Sequence, residues 1–183
     1  MKKLLMLAVL VATLGLSAAA ESPIKLSLYD NIAWPHTNNA NVVLGIVDAN
    51  TPTVHGISWV IGSSRVDQMW GWSSAYIYAR SNEMRGLQGA LYNVTTDGVG
   101  LSHGFVDVNK GTFTGLKSGF VNLGQEMKGV QFGFYNQAET LTGLQFGLVN
   151  NSRRVESGLQ IGLVNIIKEN GWLPFMVIVN GRF

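Results

Sequence analysis

Residues 129–165 read GVQFGFYNQAETLTGLQFGLVNNSRRVESGLQIGLVN, which contains one eight-residue motif three times, starting at Gly129, Gly143 and Gly158. The motif also starts at Gly115 as GLKSGFVN, and degenerate copies extend it towards the N-terminus. The glycines that open the units are Gly56, Gly71, Gly86, Gly100, Gly115, Gly129, Gly143 and Gly158, at steps of 14 or 15 residues. A short fixed period is the signature of a repeat architecture.

Each motif alternates with a period of two, which is typical of a half-buried strand. In the unit that starts at Gly143, one side carries Leu144, Phe146 and Leu148, and the other carries Gln145, Gly147 and Val149. We expect the leucine and phenylalanine side to face a shared interior. A helix is disfavoured because two glycines in eight residues would cost about 2 kcal/mol relative to alanine, and β-branched and aromatic residues prefer a pleated surface.

Short polar links separate the strands, for example residues 137–140 and 151–154. An apolar residue follows each link, shortly before the next glycine, and is expected to form a second inward-facing segment. These residues are Met84, Phe113, Met127, Leu141 and Val155.

Two columns of amide side chains recur with the repeat. One column comprises Asn93, Asp107, Asn122, Asn136, Asn150 and Asn165, and the other comprises Gln88, Gln131, Gln145 and Gln160. In a parallel, in-register stack such side chains lie above one another and can form hydrogen-bonded ladders. The first two units depart from the pattern, since Ser58 and Ser73 replace the glutamine and Ser63 and Tyr78 replace the asparagine. We expect the columns to fray there.

The repeat predicts an all-β fold, a β-solenoid-like stack of coils of 14–15 residues. The alternative is an up-and-down outer-membrane β-barrel, which the apolar, phenylalanine-terminated segment 172–183 would suit. Two observations weigh against the barrel. The middle outward position holds Ser74, Gly89, His103 and Ser118 in four units, which is a poor lipid-facing band, and the steps show no long-short alternation.

The chain divides into four segments. Residues 1–20 have the basic, apolar and small-residue order of a secretory signal peptide. Residues 21–55 hold predicted strands at 24–29 and 41–47, separated by a loop, and form an N-terminal cap. Residues 56–170 are the repeats, and residues 171–183 are a C-terminal capping strand. Caps are expected because the open ends of a β-stack invite aggregation.

Composition limits the partners. The chain has no cysteine, so disulfides cannot stabilise it in an oxidising compartment. Without Lys2 and Lys3, the 13 basic residues become 11, which equals the 11 acidic ones. A neutral mature chain gives no support to a nucleic-acid partner.

No constellation of residues predicts catalysis, a cofactor or a metal site. The histidines, His36, His55 and His103, match no metal-ligand spacing, and stacking would keep His55 and His103 about three coils apart. Trp59, Trp70 and Trp72 could form an aromatic ledge for sugars or lipids, but packing in the core or a cap is the preferred interpretation. We therefore predict no catalytic, cofactor-binding or metal-ligating residues, and a protein that is not an enzyme.

The units GLQFGLVN and GLQIGLVN, the opening SPIKLSLYD and the ending LPFMVIVNGRF resemble a family of bacterial exported surface-repeat proteins with GLQxGLVN-type units. The resemblance implies export to the cell envelope, the outer membrane or the cell surface. A stack of repeated coils gives a rigid, extended surface, so we expect a structural or adhesive scaffold role there. The barrel alternative implies an anchor or a narrow pore. The expected partners are cell-envelope components or other copies of the chain, with membrane association possible.

Overall fold

The computed structural model describes residues 22–183, which form ten strands and no helix. The strands are β1 (Ser22–Tyr29), β2 (Ile32–Trp34), β3 (Asn39–Gly45), β4 (Asp48–Val60), β5 (Ser63–Ala75), β6 (Tyr78–Asn109), β7 (Thr112–Phe132), β8 (Tyr135–Phe146), β9 (Val149–Glu169) and β10 (Phe175–Arg182). Residues 1–20, the predicted signal peptide, lie outside the described residues.

The strands form a parallel β-solenoid of about nine turns, spaced about 15 residues apart. From β3 to β9 each strand pairs in parallel with the next strand along the chain. Gly56 lies beside Gly71, and Gly143 beside Gly158, so equivalent positions stack in register. The predicted stack of coils is confirmed. The alternative of an antiparallel barrel is wrong, because neighbours run parallel and the sheet has two separate ends, β2 and β10.

Two elements differ from the sequence-based expectation. A short strand, β2, lies where the sequence predicts a loop, and it pairs antiparallel with β1. The links predicted at residues 137–140 and 151–154 belong to β8 and β9, because their backbones continue the parallel pairing across the corner. At the other end of the stack, β10 pairs antiparallel with β9.

The expected direction of the alternating side chains is wrong. Phe146 and Leu148 are exposed and Leu144 is half-buried, whereas Gln145 on the opposite side of the strand is fully buried. The second inward segment is confirmed, since Met84, Phe113, Met127, Leu141 and Val155 are all buried. The interior of the C-terminal turns therefore combines buried amides with one or two apolar residues, such as Leu141 with Ala138.

Both amide columns form hydrogen-bonded ladders in this interior. The Asn122 amide donates to Asn136 Oδ1 at 2.8 Å, Asn136 to Asn150 at 2.9 Å, and Asn150 to Asn165 at 2.9 Å. The second proton of each amide is directed at backbone carbonyls; Asn136, for example, donates to Phe146 O at 3.0 Å. These amides are buried, so no water molecule competes for their hydrogen bonds.

The glutamine column repeats this arrangement. Gln160 donates to Gln145 Oε1, and Gln145 donates to Gln131 Oε1, both at 2.7 Å. The predicted fraying is confirmed at the N-terminal units, where Ser63 and Tyr78 are only half-buried in the asparagine column. A hydroxyl pair, Ser58 with Ser64, lies in the interior there.

The glycines that open the units are required by close approach of the backbone of the preceding turn. All eight have a φ between 129° and 151°, which disfavours any L side chain. A Cβ atom added at Gly143 would lie 2.1 Å from Gly129 O, far inside van der Waals contact. The glycine spacing therefore fixes both the path of the corner and the distance between turns.

Replacing Gly143 by alanine should lower the free energy of unfolding by about 3 kcal/mol, because the substitution combines a disfavoured φ with a backbone clash. Gly89→Ala is the matched control, since the nearest atom to a Cβ there is His103 O at 3.8 Å. We expect Gly89→Ala to leave stability unchanged or slightly raised. Chemical denaturation followed by circular dichroism measures both, and equal midpoints for the two variants would contradict the role given to the glycine column.

Candidate functional site

One side of the solenoid carries almost no charge. It consists of the six positions after the glycine column in each turn, and we call it the apolar face. Its segments are residues 42–47, 57–62, 72–77, 87–92, 101–106, 116–121, 130–135, 144–149 and 159–164. These segments contain no aspartate, glutamate or arginine, and their one lysine, Lys117, is buried in the interior. The apolar face therefore presents no exposed charged group.

A continuous line of large apolar side chains runs along this face, and we call it the outer ridge. It comprises Ile46, Ile61, Tyr76, Leu91, Phe105, Phe120, Phe134, Leu148 and Leu163. Each of these side chains is between 40% and 68% exposed. Phe105 stacks on Phe120 with ring centroids 5.0 Å apart, and Phe120 stacks on Phe134 at 4.8 Å. The stacking holds the rings in fixed, nearly parallel orientations.

A groove lies beside the outer ridge in the C-terminal turns. Glycines form its floor, among them Gly133 and Gly147, and Phe132, Phe146 and Phe134 are among its walls. Its volume is about 600 Å³. A Cβ atom at Gly147 would lie 2.1 Å from Gly133 O and 2.6 Å from the amide nitrogen of Asn136. The close packing of successive turns thus requires glycine at these positions, and the lack of side chains there leaves the groove on the outer surface.

The exposed charges lie on the opposite side, in the corner and link positions of each turn. Three ion pairs are exposed there: Lys128 with Glu126 at 2.8 Å, Arg153 with Glu169 at 3.0 Å, and Arg154 with Glu156 at 2.7 Å. Exposed pairs of this kind contribute little to stability. They keep this side solvated, so the described turns have one charged side and one apolar side.

Three of the five tryptophans, those of the possible aromatic ledge, are exposed, so the expectation that they pack in the core or a cap is wrong. Trp59, Trp70 and Trp72 are all exposed, and Trp59 and Trp72 belong to the apolar face. Trp70 borders that face, where it stacks on the His55 ring at 4.6 Å and lies under the Arg85 guanidinium at 5.3 Å. The tryptophans extend the apolar surface towards the N-terminal turns.

The three histidines lie in different parts of the stack. His36 lines a polar cavity of about 280 Å³ at the N-terminal end, His55 stacks on Trp70, and His103 lies exposed on the apolar face. Within residues 22–183 no group of three histidine, cysteine, aspartate or glutamate residues is placed to hold a metal ion. In the same residues no helix is long and apolar enough to cross a membrane.

Lys25 is the buried cation at the N-terminal end, beside the cavity that His36 lines. Its ammonium donates to Asn50 O at 2.6 Å and to Thr37 O at 3.3 Å. Burial lowers the pKa of Lys25, and the Asp30 carboxylate partly opposes that effect. Because both carbonyls belong to neighbouring segments, Lys25 ties β1 to the chain on either side of β3.

Comparison with protein-family models, curated proteins and solved structures found no match to this chain. The assignment of a function therefore depends on the residues and their arrangement.

Two charged residues interrupt the amide ladders in adjacent turns. Asp107 occupies an asparagine position and Lys117 a glutamine position, and both are about 99% buried. The Lys117 ammonium donates to Leu123 O at 3.1 Å and to Asp107 O at 3.4 Å, and Ser102 donates to Asp107 Oδ1. Burial lowers the pKa of Lys117 to about 8, and burial raises the pKa of Asp107, against the hydrogen bond from Ser102.

The ladder is incomplete at this point. A carboxylate has no N–H, so Asp107 cannot donate to the next member of the column as an asparagine does. Asn122 Oδ1 accordingly lacks a hydrogen-bond partner. Asp107 Oδ2 also lacks one, and the Asn93 amide of the preceding turn donates to Ala90 O and His103 O. Replacing both charges by the amides found in other turns, Asp107→Asn with Lys117→Gln, would continue the asparagine column through residue 107 and extend the glutamine column to residue 117, although Ser102 still separates it from Gln88. The replacement would leave no buried unpaired charge.

We predict that the free energy of unfolding rises with pH between about 8 and 10.5, and that the double variant lacks the part of this rise that Lys117 contributes. Below pH 8 Lys117 is charged in both states, so the native state carries the full cost of a buried cation. Between pH 8 and 10.5 the unfolded chain keeps the proton that the native chain has lost, and rising pH favours the native state by up to roughly 3 kcal/mol.

Urea titrations at pH 7 and pH 10 measure the effect. The double variant should also be more stable than the natural sequence at pH 7, by about 1–4 kcal/mol. Lys25 also raises the free energy of unfolding as the pH increases, in the natural sequence and in the double variant alike. The difference between the two pH dependences therefore isolates the effect of the interior charges. A natural sequence and double variant with the same pH dependence would contradict the assignment.

Proposed function

We propose that this chain is an exported, non-catalytic repeat protein of the cell envelope or cell surface, with a structural or adhesive scaffold role. In this proposal the apolar face is the docking surface, and the charged side faces solvent. The proposal rests above all on one observation: every exposed charged side chain of the repeats lies off the apolar face.

The size of the apolar face supports docking. Nine turns at about 4.8 Å give a length of about 43 Å, and six residues at about 3.3 Å give a width of about 20 Å. The resulting area of roughly 850 Å² exceeds the apolar patches of about 300–600 Å² that are typical of soluble monomers. Larger patches with a polar border mark surfaces that bind a partner or a membrane.

The rigidity of the stack supports a scaffold role. Each turn is held to the next by backbone pairing and by the amide ladders, for example from Asn122 to Asn165. Stacked rings such as Phe120 and Phe134 repeat the same contact from turn to turn. A surface of this kind binds through many weak, identical contacts and loses little conformational freedom on binding.

Export is supported by the sequence. Residues 1–20 have the order of a signal peptide, and the GLQxGLVN-type units resemble exported surface-repeat proteins. The neutral mature chain adds no electrostatic reason for binding nucleic acid.

Expression of the whole chain in a bacterium with two membranes, followed by fractionation, tests the proposal. We expect the chain in the envelope fraction, shortened at its N-terminus, and retained through a low-salt wash. The double variant Phe120→Asp with Phe134→Asp should move to the soluble periplasmic fraction, because it places two charges on the outer ridge while the buried ladders are untouched. At least a tenfold fall in the bound-to-free ratio is expected.

The matched control adds the same two side chains to the charged side, as Lys110→Asp with Gln125→Asp, since both residues are exposed there. This control should fractionate like the natural chain. Equal retention of the control and the outer-ridge variant, with both folded by circular dichroism, would show that the apolar face is not the docking surface. A chain that stays in the cytoplasm would contradict export.

A further inference from the structure

We propose that the occupant of the apolar face is the apolar face of a second copy, so that two solenoids pack side by side about a two-fold axis. This inference rests on the proposed function, because it assumes that the apolar face is a docking surface. It adds the identity of the partner and the arrangement of the two chains.

The area of the face fits a stable dimer. Roughly 850 Å² on each copy gives about 1,700 Å² of buried surface in total, within the range of about 1,200–2,000 Å² for specific interfaces. Homodimer interfaces are also more apolar than other protein surfaces, and an interface centre is depleted in charge. Two uncharged faces meet without like-charge repulsion in any orientation.

The charges of the chain favour a second copy over a lipid surface. Protein faces that lie on membranes combine apolar groups with lysine and arginine that attract anionic lipids. Lys2, Lys3 and Glu21 lie outside the described residues, so the 13 basic and 11 acidic residues of the chain become 11 and 10. The described chain is thus close to neutral, and two of its exposed cations, Arg153 and Arg154, are paired with glutamates.

The shape of the face is self-complementary in the four central turns. The column two residues before the outer ridge holds small or polar residues there: Ser74, Gly89, His103 and Ser118. The outer ridge in the same turns holds large ones: Tyr76, Leu91, Phe105 and Phe120. A depression of about 650 Å³ lies along the small column, bounded by Trp59 and Phe120.

A two-fold axis parallel to the solenoid axis satisfies this arrangement. If the axis runs between the two columns, the outer ridge of one copy fills the depression of the other, and the reverse contact is identical. In the four central turns large side chains then face small or polar ones across the interface, as in a well-packed core. In the C-terminal turns both facing residues are apolar, for example Phe132 against Phe134.

Filling the depression tests this arrangement and separates it from lipid binding. The double variant Gly89→Phe with Ser118→Phe should keep the fold, because phenylalanine occupies the equivalent position at Phe132 and Phe146, and a Cβ at Gly89 is unobstructed. We expect the exported chain to be a dimer by analytical ultracentrifugation, and the filled variant to dimerise at least tenfold more weakly. Phe120→Asp with Phe134→Asp should be monomeric, and Lys110→Asp with Gln125→Asp should remain dimeric.

Flotation with vesicles of neutral phospholipid, and with vesicles containing anionic phospholipid, tests the alternative occupant of the apolar face, a lipid surface. Added phenylalanines would strengthen binding to lipid, so the two occupants predict opposite effects of the filled variant. A natural chain that is monomeric at about 100 μM and floats with vesicles would overturn the dimer and leave the proposed docking surface in place. A chain that is monomeric and binds neither vesicles nor the envelope would overturn both. A filled variant that dimerises as tightly as the natural chain would overturn the arrangement about the axis.

Discussion

The amide ladder inside the solenoid is the interaction on which the rest of the structure depends. The ladder comprises Asn122, Asn136, Asn150 and Asn165, which lie above one another, and each of the first three donates to the next at 2.8–2.9 Å. Such bonds form only when successive turns are in register, so a shift by one residue would leave a buried amide without partners at a cost of about 1–3 kcal/mol for each group. The ladder therefore specifies the register, the spacing of the turns and the parallel direction.

The polar interior explains the apolar exterior. A turn of about 15 residues encloses a narrow cross-section. The turn that begins at Gly143 buries two amides, a serine and one valine: Gln145, Asn150, Ser152 and Val155. The remaining leucines and phenylalanines, Phe146 and Leu148 among them, have no room inside and lie on the surface. Because they are confined to one side, away from Arg153 and Arg154, this internal packing constraint produces the apolar face on which the proposed docking depends.

Much of the stack could be predicted from the sequence, because glycine spacing and amide columns report directly on register. The orientation of the strands could not be predicted from alternation, since a period of two separates the faces without stating which one is buried. Gln145 carried the missing information: amides bond to one another strongly only where water is excluded, so a glutamine ladder belongs inside. The absence of exposed charge around Phe132 and Phe146 was visible in the sequence, but it fits an interior as well as a docking face. Short β2 was missed because Ile32–Trp34 offers three residues and no repeat.

The central claim is that the amide columns form a dry, hydrogen-bonded interior. Hydrogen exchange of side-chain amide protons, followed by NMR of the folded chain, measures this directly, with the exposed Gln125 as the internal reference. In a dry interior the amide protons of Asn136, Asn150 and Gln145 should exchange at least a hundredfold more slowly than those of Gln125. Exchange of all four amides at the same rate, in a chain whose backbone remains protected, would contradict it.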